Sequence, residues 1–151
     1  MSFTGEYRAK LNAKNQVTMP GSLREAFFAL EEDSPLVMYH RKSDNDDFLA
    51  LYPTSQWRVN QKKTEEIAKR LKKPELNRVL NAGAMNVSLD SGGNGRILIP
   101  SPFIEYFKPH NEIIFVGNTV QIELWNVDKY APVKALAEES LSAHTEDIFD
   151  Y

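Results

Sequence analysis

Apolar residues in this chain come in short runs broken by turn residues, and most of the runs are rich in β-branched and aromatic side chains. Leu36-Val37-Met38-Tyr39 with Phe48-Leu49-Ala50-Leu51-Tyr52, and Ile113-Ile114-Phe115-Val116 with Val120-Gln121-Ile122-Glu123-Leu124-Trp125, read as two hairpin pairs. Ahead of each pair, a short strand runs into a proline, as Gln16-Val17-Thr18-Met19-Pro20 and Arg96-Ile97-Leu98-Ile99-Pro100, and a short helix follows. Trp57, Gln61, Thr64, Ala68 and Leu71 recur at helical spacing with lysines and glutamates between them, which predicts an amphipathic helix ended by Pro74. A last helix is expected from about Val127, fraying after Ser142 into an acidic tail.

The order of these elements is the same in both parts of the chain, which is the mark of an internal repeat. Gly5-Glu6-Tyr7-Arg8-Ala9-Lys10-Leu11-Asn12 aligns with Gly83-Ala84-Met85-Asn86-Val87-Ser88-Leu89-Asp90. Leu23-Arg24-Glu25-Ala26-Phe27 aligns with Phe103-Ile104-Glu105-Tyr106-Phe107, and Leu51-Tyr52 through Trp57 with Leu124-Trp125 through Tyr130. The turns differ: Ala13-Lys14-Asn15 is tight, whereas Gly92-Gly93-Asn94-Gly95 is longer and carries the Asn-Gly pair that favours a hairpin. The pattern predicts a β-rich α+β protein of two tandem halves with short helices. Its expected divisions are a first half over 1–55, a basic linker helix over 56–78, a second half over 79–128, and a helix with an acidic tail over 129–151.

The 151 residues include no cysteine, which excludes disulfides and Cys-containing zinc sites and points to a reducing cytoplasm. No window approaches the apolar length of a membrane span, so no membrane partner is expected. The net charge of −3 hides a basic middle, Arg58, Lys62, Lys63, Lys69, Arg70, Lys72, Lys73 and Arg78, and an acidic end from Asp128 to Tyr151. Pairing with Glu65 and Glu66 explains much of the basic run as a solvated helix face, and a contact with a neighbour's acidic tail is the alternative.

Gly5-Glu6-Tyr7, Leu11-Asn12-Ala13-Lys14-Asn15, Leu51-Tyr52-Pro53 with Trp57, Gly83-Ala84, and Gly95-Arg96-Ile97-Leu98-Ile99-Pro100 followed by Gly117 and Leu124-Trp125 resemble the MraZ family along nearly the whole chain. In that family each half has the swapped-hairpin fold of AbrB-type DNA-binding domains. The resemblance implies a sequence-specific, DNA-binding transcriptional regulator, nucleoid-associated, that assembles into a ring-like homo-oligomer. It further implies repression of the protein's own cell-division and cell-wall operon through tandem promoter repeats on double-stranded DNA. The family carries an Asp-x-x-x-Arg pattern in the turn of each half. Here Asn12 and Gln16 occupy those places in the first half, while Asp90 and Arg96 are of the family's types but are separated by the longer turn. Gln lacks the permanent charge and planar fork of Arg but can still pair with adenine.

Phosphate contacts need Lys or Arg on one surface, and base edges need Arg, Asn or Gln at fixed points. Arg8, Lys10, Lys14, Asn15 and Gln16 in the first half, and Asp90 and Arg96 in the second, are therefore the candidate DNA-binding residues. Arg8 and Lys10 alternate along a strand and share a face, and Lys14 stands at a turn tip; solvation of an exposed strand edge is the competing role for such charges. Enzymatic chemistry, a cofactor and a small-molecule substrate are not expected. His40, His110 and His144 are isolated, Asp44-Asn45-Asp46-Asp47 lacks the glycine and distal glutamate of a calcium loop, and Gly92-Gly93-Asn94-Gly95 leads into a strand rather than a helix. Two other functions stay open: a ring-forming interaction scaffold that has lost DNA recognition, suggested by Asn12 and Gln16, and an AbrB-like antitoxin.

Overall fold

The apolar runs form strands and the two expected hairpins, Leu36–Lys42 with Asp47–Tyr52 and Glu112–Asn118 with Gln121–Asn126, while the remaining strands of each half find partners in the other. The computed structural model describes residues 2–30, 35–89 and 95–149. In order these form β1 (Glu6–Lys10), β2 (Gln16–Thr18), α1 (Gly21–Phe28), β3 (Leu36–Lys42), β4 (Asp47–Tyr52), α2 (Thr54–Leu71) and α3 (Glu75–Ala82). They continue with β5 (Met85–Val87), β6 (Arg96–Leu98), α4 (Ser101–Ile104) running into a 3-10 turn, β7 (Glu112–Asn118), β8 (Gln121–Asn126), α5 (Val127–Ala143) and α6 (Thr145–Phe149). The result is an α+β protein with a six-stranded antiparallel sheet, ordered β1-β7-β8-β4-β3-β5, and a two-stranded ribbon, β2-β6.

Each half gives its first strand away. β1 pairs with β7, and β5 pairs with β3, so the outer strands of the sheet are exchanged between halves. The ribbon is likewise one strand from each half. The register reveals a pseudo-two-fold axis. Val17 faces Ile97 in the ribbon, and Ala50 faces Glu123 where β4 meets β8, with Leu49 and Leu51 opposite Leu124 and Ile122. The turn before β2 is closed by the Asn12 N–H donating to the Gln16 carbonyl, and in the second half Leu89 bridges Ile97.

Period-two alternation sorts the sheet's side chains into two layers. One face, with Leu36, Met38, Leu49, Leu51, Ile113, Phe115, Ile122 and Leu124, packs against Val17, Ile97, Met19 and Ile99 of the ribbon and against Leu23, Phe27, Phe103 and Phe107 of the short helices. The other face, with Val37, Phe48, Ala50, Tyr52, Ile114 and Trp125, is covered by α2 through Trp57 and by α5 through Tyr130 and Val133. The repeat is visible here as a pair of aromatic contacts: Tyr52 on Trp57 at 5.6 Å between ring centroids, and Trp125 on Tyr130 at 5.4 Å. Gly117 is required by a close approach, because a Cβ there would lie 2.4 Å from the Thr4 backbone nitrogen.

At the pseudo-axis the match breaks. Where β4 has Ala50, β8 has Glu123, which is only 7 % exposed. Its carboxylate accepts from Asn118 Nδ2 (2.9 Å), Gln121 Nε2 (2.8 Å) and Trp125 Nε1 (2.9 Å), so the buried charge is offset by three N–H donors.

The helix expected over the basic middle is α2, with Trp57 and Ala68 buried on the predicted face. Leu71 departs from expectation and is exposed, because the helix ends there on a left-handed Lys72. The linker helix expected over 56–78 is two helices: α2 stops at Leu71, and past Pro74 α3 runs on to Ala82 and packs back on α2, where Gln61 Nε2 donates to Asn81 Oδ1 at 2.8 Å. α5 is capped by Asn126, whose side-chain oxygen accepts from the backbone N–H of Asp128 and Lys129, and it ends at Ala143; beyond it the tail expected to fray forms a further short helix, α6.

Two carboxylates pin α5 to the sheet. Glu6 accepts from the Tyr130 hydroxyl (2.6 Å) and Lys134 Nζ (3.2 Å). Asp47 accepts from Lys129 Nζ (2.8 Å) and meets His40 Nε2 at 2.5 Å, so the acidic hairpin loop ends in a structural ion pair. The Tyr130 hydrogen bond, opposed by burial and aided by Lys134, holds the Glu6 carboxyl below its ordinary value. Burial pushes Asp47 up, but the hydrogen bonds from Lys129 and His40 outweigh it and hold that carboxyl low as well. Groups depressed in the folded state stabilise it above their unfolded values, and that contribution is lost as the pH falls through the folded ones.

Two predictions follow from this packing. Replacing Ile97, fully buried on the axis, by Ala lowers stability by about 2–5 kcal/mol in urea unfolding. The Glu6→Gln, Asp47→Asn double variant is less stable at neutral pH and loses less stability than the parent as the pH falls below 4.5 and 3.8, the ordinary values of the two groups.

Candidate nucleic-acid interface

Alternation along the ribbon leaves one face buried and one outward. Val17 and Ile97 point into the core, while Gln16 and Thr18 from β2 and Arg96 and Leu98 from β6 point away from it. In register, Gln16 lies opposite Leu98 and Thr18 opposite Arg96. Gln16 and Arg96 are thus equivalents under the pseudo-axis. A two-stranded ribbon is narrow enough to enter the major groove of B-form DNA.

The turn before Gln16 is built around Asn12. Its Oδ1 accepts from the backbone N–H of both Lys14 and Gln16, each at 2.9 Å, and its carbonyl accepts from the Asn15 N–H at 3.0 Å. Its Nδ2 donates to Gln16 Oε1 at 3.2 Å. The neutral Asn–Gln pair therefore makes the side-chain contact that an Asp–Arg pair would make as an ion pair. Asn15 is left-handed, at φ 62°, and its carbonyl accepts from the Ile99 N–H at 2.9 Å. The second half repeats this at Gly95, φ 64°, whose carbonyl accepts from the Met19 N–H at 2.9 Å. Asn and Gly are the residues that tolerate this conformation best, so both turns are locally consistent with their sequence.

The structure brings Lys14, Asn15, Gln16 and Arg96 to the ribbon and its flanking turn. Asp90 lies outside the described residues, as does the turn over 91–94. Arg8 and Lys10 share a face, both exposed, but it is the face of the sheet that α5 covers, where Glu6 of the same strand accepts from Tyr130. Arg8 Nη1 is paired with Glu112 Oε1, and Lys10 stands across from Glu112 in the register. The Arg8 and Lys10 side chains leave β1 on the face of the sheet opposite to the one the ribbon packs on. The basic residues of α2 lie on that far side too, since Trp57 packs α2 against the face away from the ribbon.

Three ribbon-side residues escaped the sequence reading. Thr18 and Leu98 were taken as strand interior, although period-two alternation places both on the outward face with Gln16 and Arg96. Leu98 is 60 % exposed on that face. Arg24 was read only as part of the short helix; its side chain lies over Gly95, where a Cβ would come within 2.2 Å of Nη1. Among the described residues no group of three or more His, Asp or Glu converges to hold a metal, and no helix is long and apolar enough to cross a membrane. His110 and His144 meet Asp128 and Asp147 in exposed pairs.

Fold and site together define a class: an internally duplicated α+β protein whose halves exchange strands and whose outward ribbon combines one strand from each. A family model described as "MraZ protein, putative antitoxin-like" matches residues 80–151. A transcriptional regulator MraZ of Clostridium acetobutylicum is 33 % identical over 136 residues, covering 85 % of this chain and 84 % of the relative. One from Pseudomonas syringae pv. syringae is 30 % identical, covering 93 % and 89 %, and one from Christiangramia forsetii is 26 % identical, covering 99 % and 90 %. The chain belongs to the MraZ family.

Because Asn12 holds two backbone N–H groups and the Gln16 amide at an exposed turn, Asn12→Ala is expected to destabilise the protein by about 0.5–1.5 kcal/mol. Thermal unfolding measures the loss, and faster amide exchange at Lys14 and Gln16 locates it.

Proposed function

We propose that the chain is a DNA-binding transcriptional regulator, and not an enzyme, that docks the outward face of the β2–β6 ribbon into the major groove. The observation that carries this reading is the ribbon itself: Gln16, Thr18 and Arg96 stand outward over a fully packed Val17–Ile97 floor, flanked by Lys14. Gln and Arg are the side chains suited to base edges, and Lys14 at the turn tip is placed for a phosphate. The printed names of the relatives support the same class of activity. In this reading 1–55 and 79–128 supply the recognition halves, 56–78 joins them, and 129–151 is left for assembly.

The finer reading is a cytoplasmic, nucleoid-associated repressor of its own cell-division and cell-wall operon, bound to tandem promoter repeats as a ring-shaped homo-oligomer. Its support is the surface that the single chain leaves uncovered: Leu136 is 61 % exposed, Ile148 53 % and Phe149 64 % along α5 and α6. Repeated sites engaged by a multivalent ring would gain avidity of about 10²–10⁴. An interaction scaffold without DNA recognition is the competing function, favoured by the neutral Asn12–Gln16 pair.

Titration onto a duplex carrying the repeats upstream of the protein's own gene, beside a scrambled duplex and across a salt series, separates the two. A regulator binds the repeats selectively, with an affinity that falls steeply with salt; Lys14→Ala lowers the salt slope by about 1, and Arg96→Ala weakens binding and relaxes selectivity. Equal, weak binding to both duplexes supports the scaffold.

A further inference from the structure

The ribbon is symmetric in backbone and asymmetric in chemistry. Its axis passes through the Val17–Ile97 pair, so each end of the outward face holds one residue from each strand. One end carries Gln16 beside Leu98, with Asn12 behind Gln16 and Lys14 at the adjoining turn. The other carries Arg96 beside Thr18, next to Gly95 and the Arg24 side chain that lies over it. A perfect repeat would present the same pair twice. Here one end is amide and apolar, and the other is cationic and hydroxylic.

These two ends match different base pairs. The Gln16 Oε1 already accepts one hydrogen bond from Asn12, so the amide presents one remaining acceptor site and the Nε2 donors. That set complements adenine, which offers N6–H as donor and N7 as acceptor in the major groove, and does not complement the two acceptors of guanine. Leu98 directly opposite supplies the apolar contact suited to the thymine methyl of such a pair. At the other end the Arg96 guanidinium offers paired donors suited to O6 and N7 of guanine. Diagonal neighbours across an antiparallel pair lie about 7–8 Å apart, a little over two base-pair steps of about 3.4 Å.

Resting on the reading of the ribbon as a major-groove reader, we propose that it recognises a polar, non-palindromic element: an A·T pair under the Gln16–Leu98 end and a G·C pair under the Arg96–Thr18 end, two to three steps away. Gln16 and Leu98 are then specificity-determining residues, and the exchange of Asp and Arg for Asn12 and Gln16 is a change of base preference and not a loss of binding. The polarity also fixes the orientation of the protein on its site, which a symmetric ribbon could not do.

The test is selection of duplexes from a library randomised across its centre, using the full-length protein, followed by titration of the selected duplex with single base-pair changes at each end. The parent selects A·T and G·C two to three steps apart, and swapping either pair costs roughly ten- to a hundredfold in affinity. Asn12→Asp with Gln16→Arg rebuilds the charged pair and converts the A·T end to a G·C preference, leaving the other end unchanged. Arg96→Gln, at an exposed position, makes the reciprocal change and serves alone should the double variant fail to fold. Specific binding with the same base preference at both ends, or preferences that neither variant moves, overturns this proposal and leaves the regulator intact. Binding that is equal for all duplexes overturns the regulator reading and this one together.

Discussion

Everything in this molecule depends on the exchange of strands at the pseudo-axis. β1 cannot complete its ladder without β7, nor β5 without β3, and the ribbon that crosses between the halves exists only because each contributes one strand. Val17 and Ile97 meet on the axis and are buried beneath that ribbon, so the packing that joins the halves also supports the candidate recognition surface. Stability and site geometry are therefore coupled: side chains on the outward face are held by a core that neither half could build alone.

That coupling explains how the two halves can diverge in chemistry without losing shape. The left-handed positions Asn15 and Gly95, the carbonyl bonds they make to Ile99 and Met19, and the aromatic pairs Tyr52–Trp57 and Trp125–Tyr130 preserve the frame. The outward residues carry no such duty. Asn12 and Gln16 keep the local hydrogen bonding of the turn while removing its charges. Glu123 in place of Ala50 is a second divergence, accommodated by three nearby donors rather than by its symmetry mate.

Much of this was legible in the residues. The runs over Leu36–Tyr39, Phe48–Tyr52 and their repeats carried the strand period, and the spacing of Trp57, Thr64 and Ala68 carried α2. The exchange was not legible as pattern, because a turn such as Lys14-Asn15 looks the same whether its strands pair with each other or with distant partners; only long-range register decides. The separate helix α3, running past 78 to Ala82, was hidden for a different reason: its apolar Leu76, Val79 and Leu80 sit among asparagines after a proline that reads as a stop, and its helix is stabilised by packing on α2. At the site, Lys14, Gln16 and Arg96 could be read from residue type and turn position. Thr18, Leu98 and Arg24 needed the ribbon's register, and the placement of Arg8 and Lys10 on the face of the sheet away from the ribbon needed the pairing of β1.

The central claim is that the ribbon's outward face, and not the basic side of the molecule, meets DNA. The most direct measurement places a photoreactive side chain at Thr18 on that face, and separately at Lys10 on β1 and at Arg58 on α2, all of them exposed. Each labelled protein is then irradiated with the operator duplex. The account predicts a cross-link to bases from Thr18 and none from Lys10 or Arg58. Efficient cross-linking from Arg58 or Lys10, with Thr18 silent, would contradict it and move the interface to the helical side of the sheet.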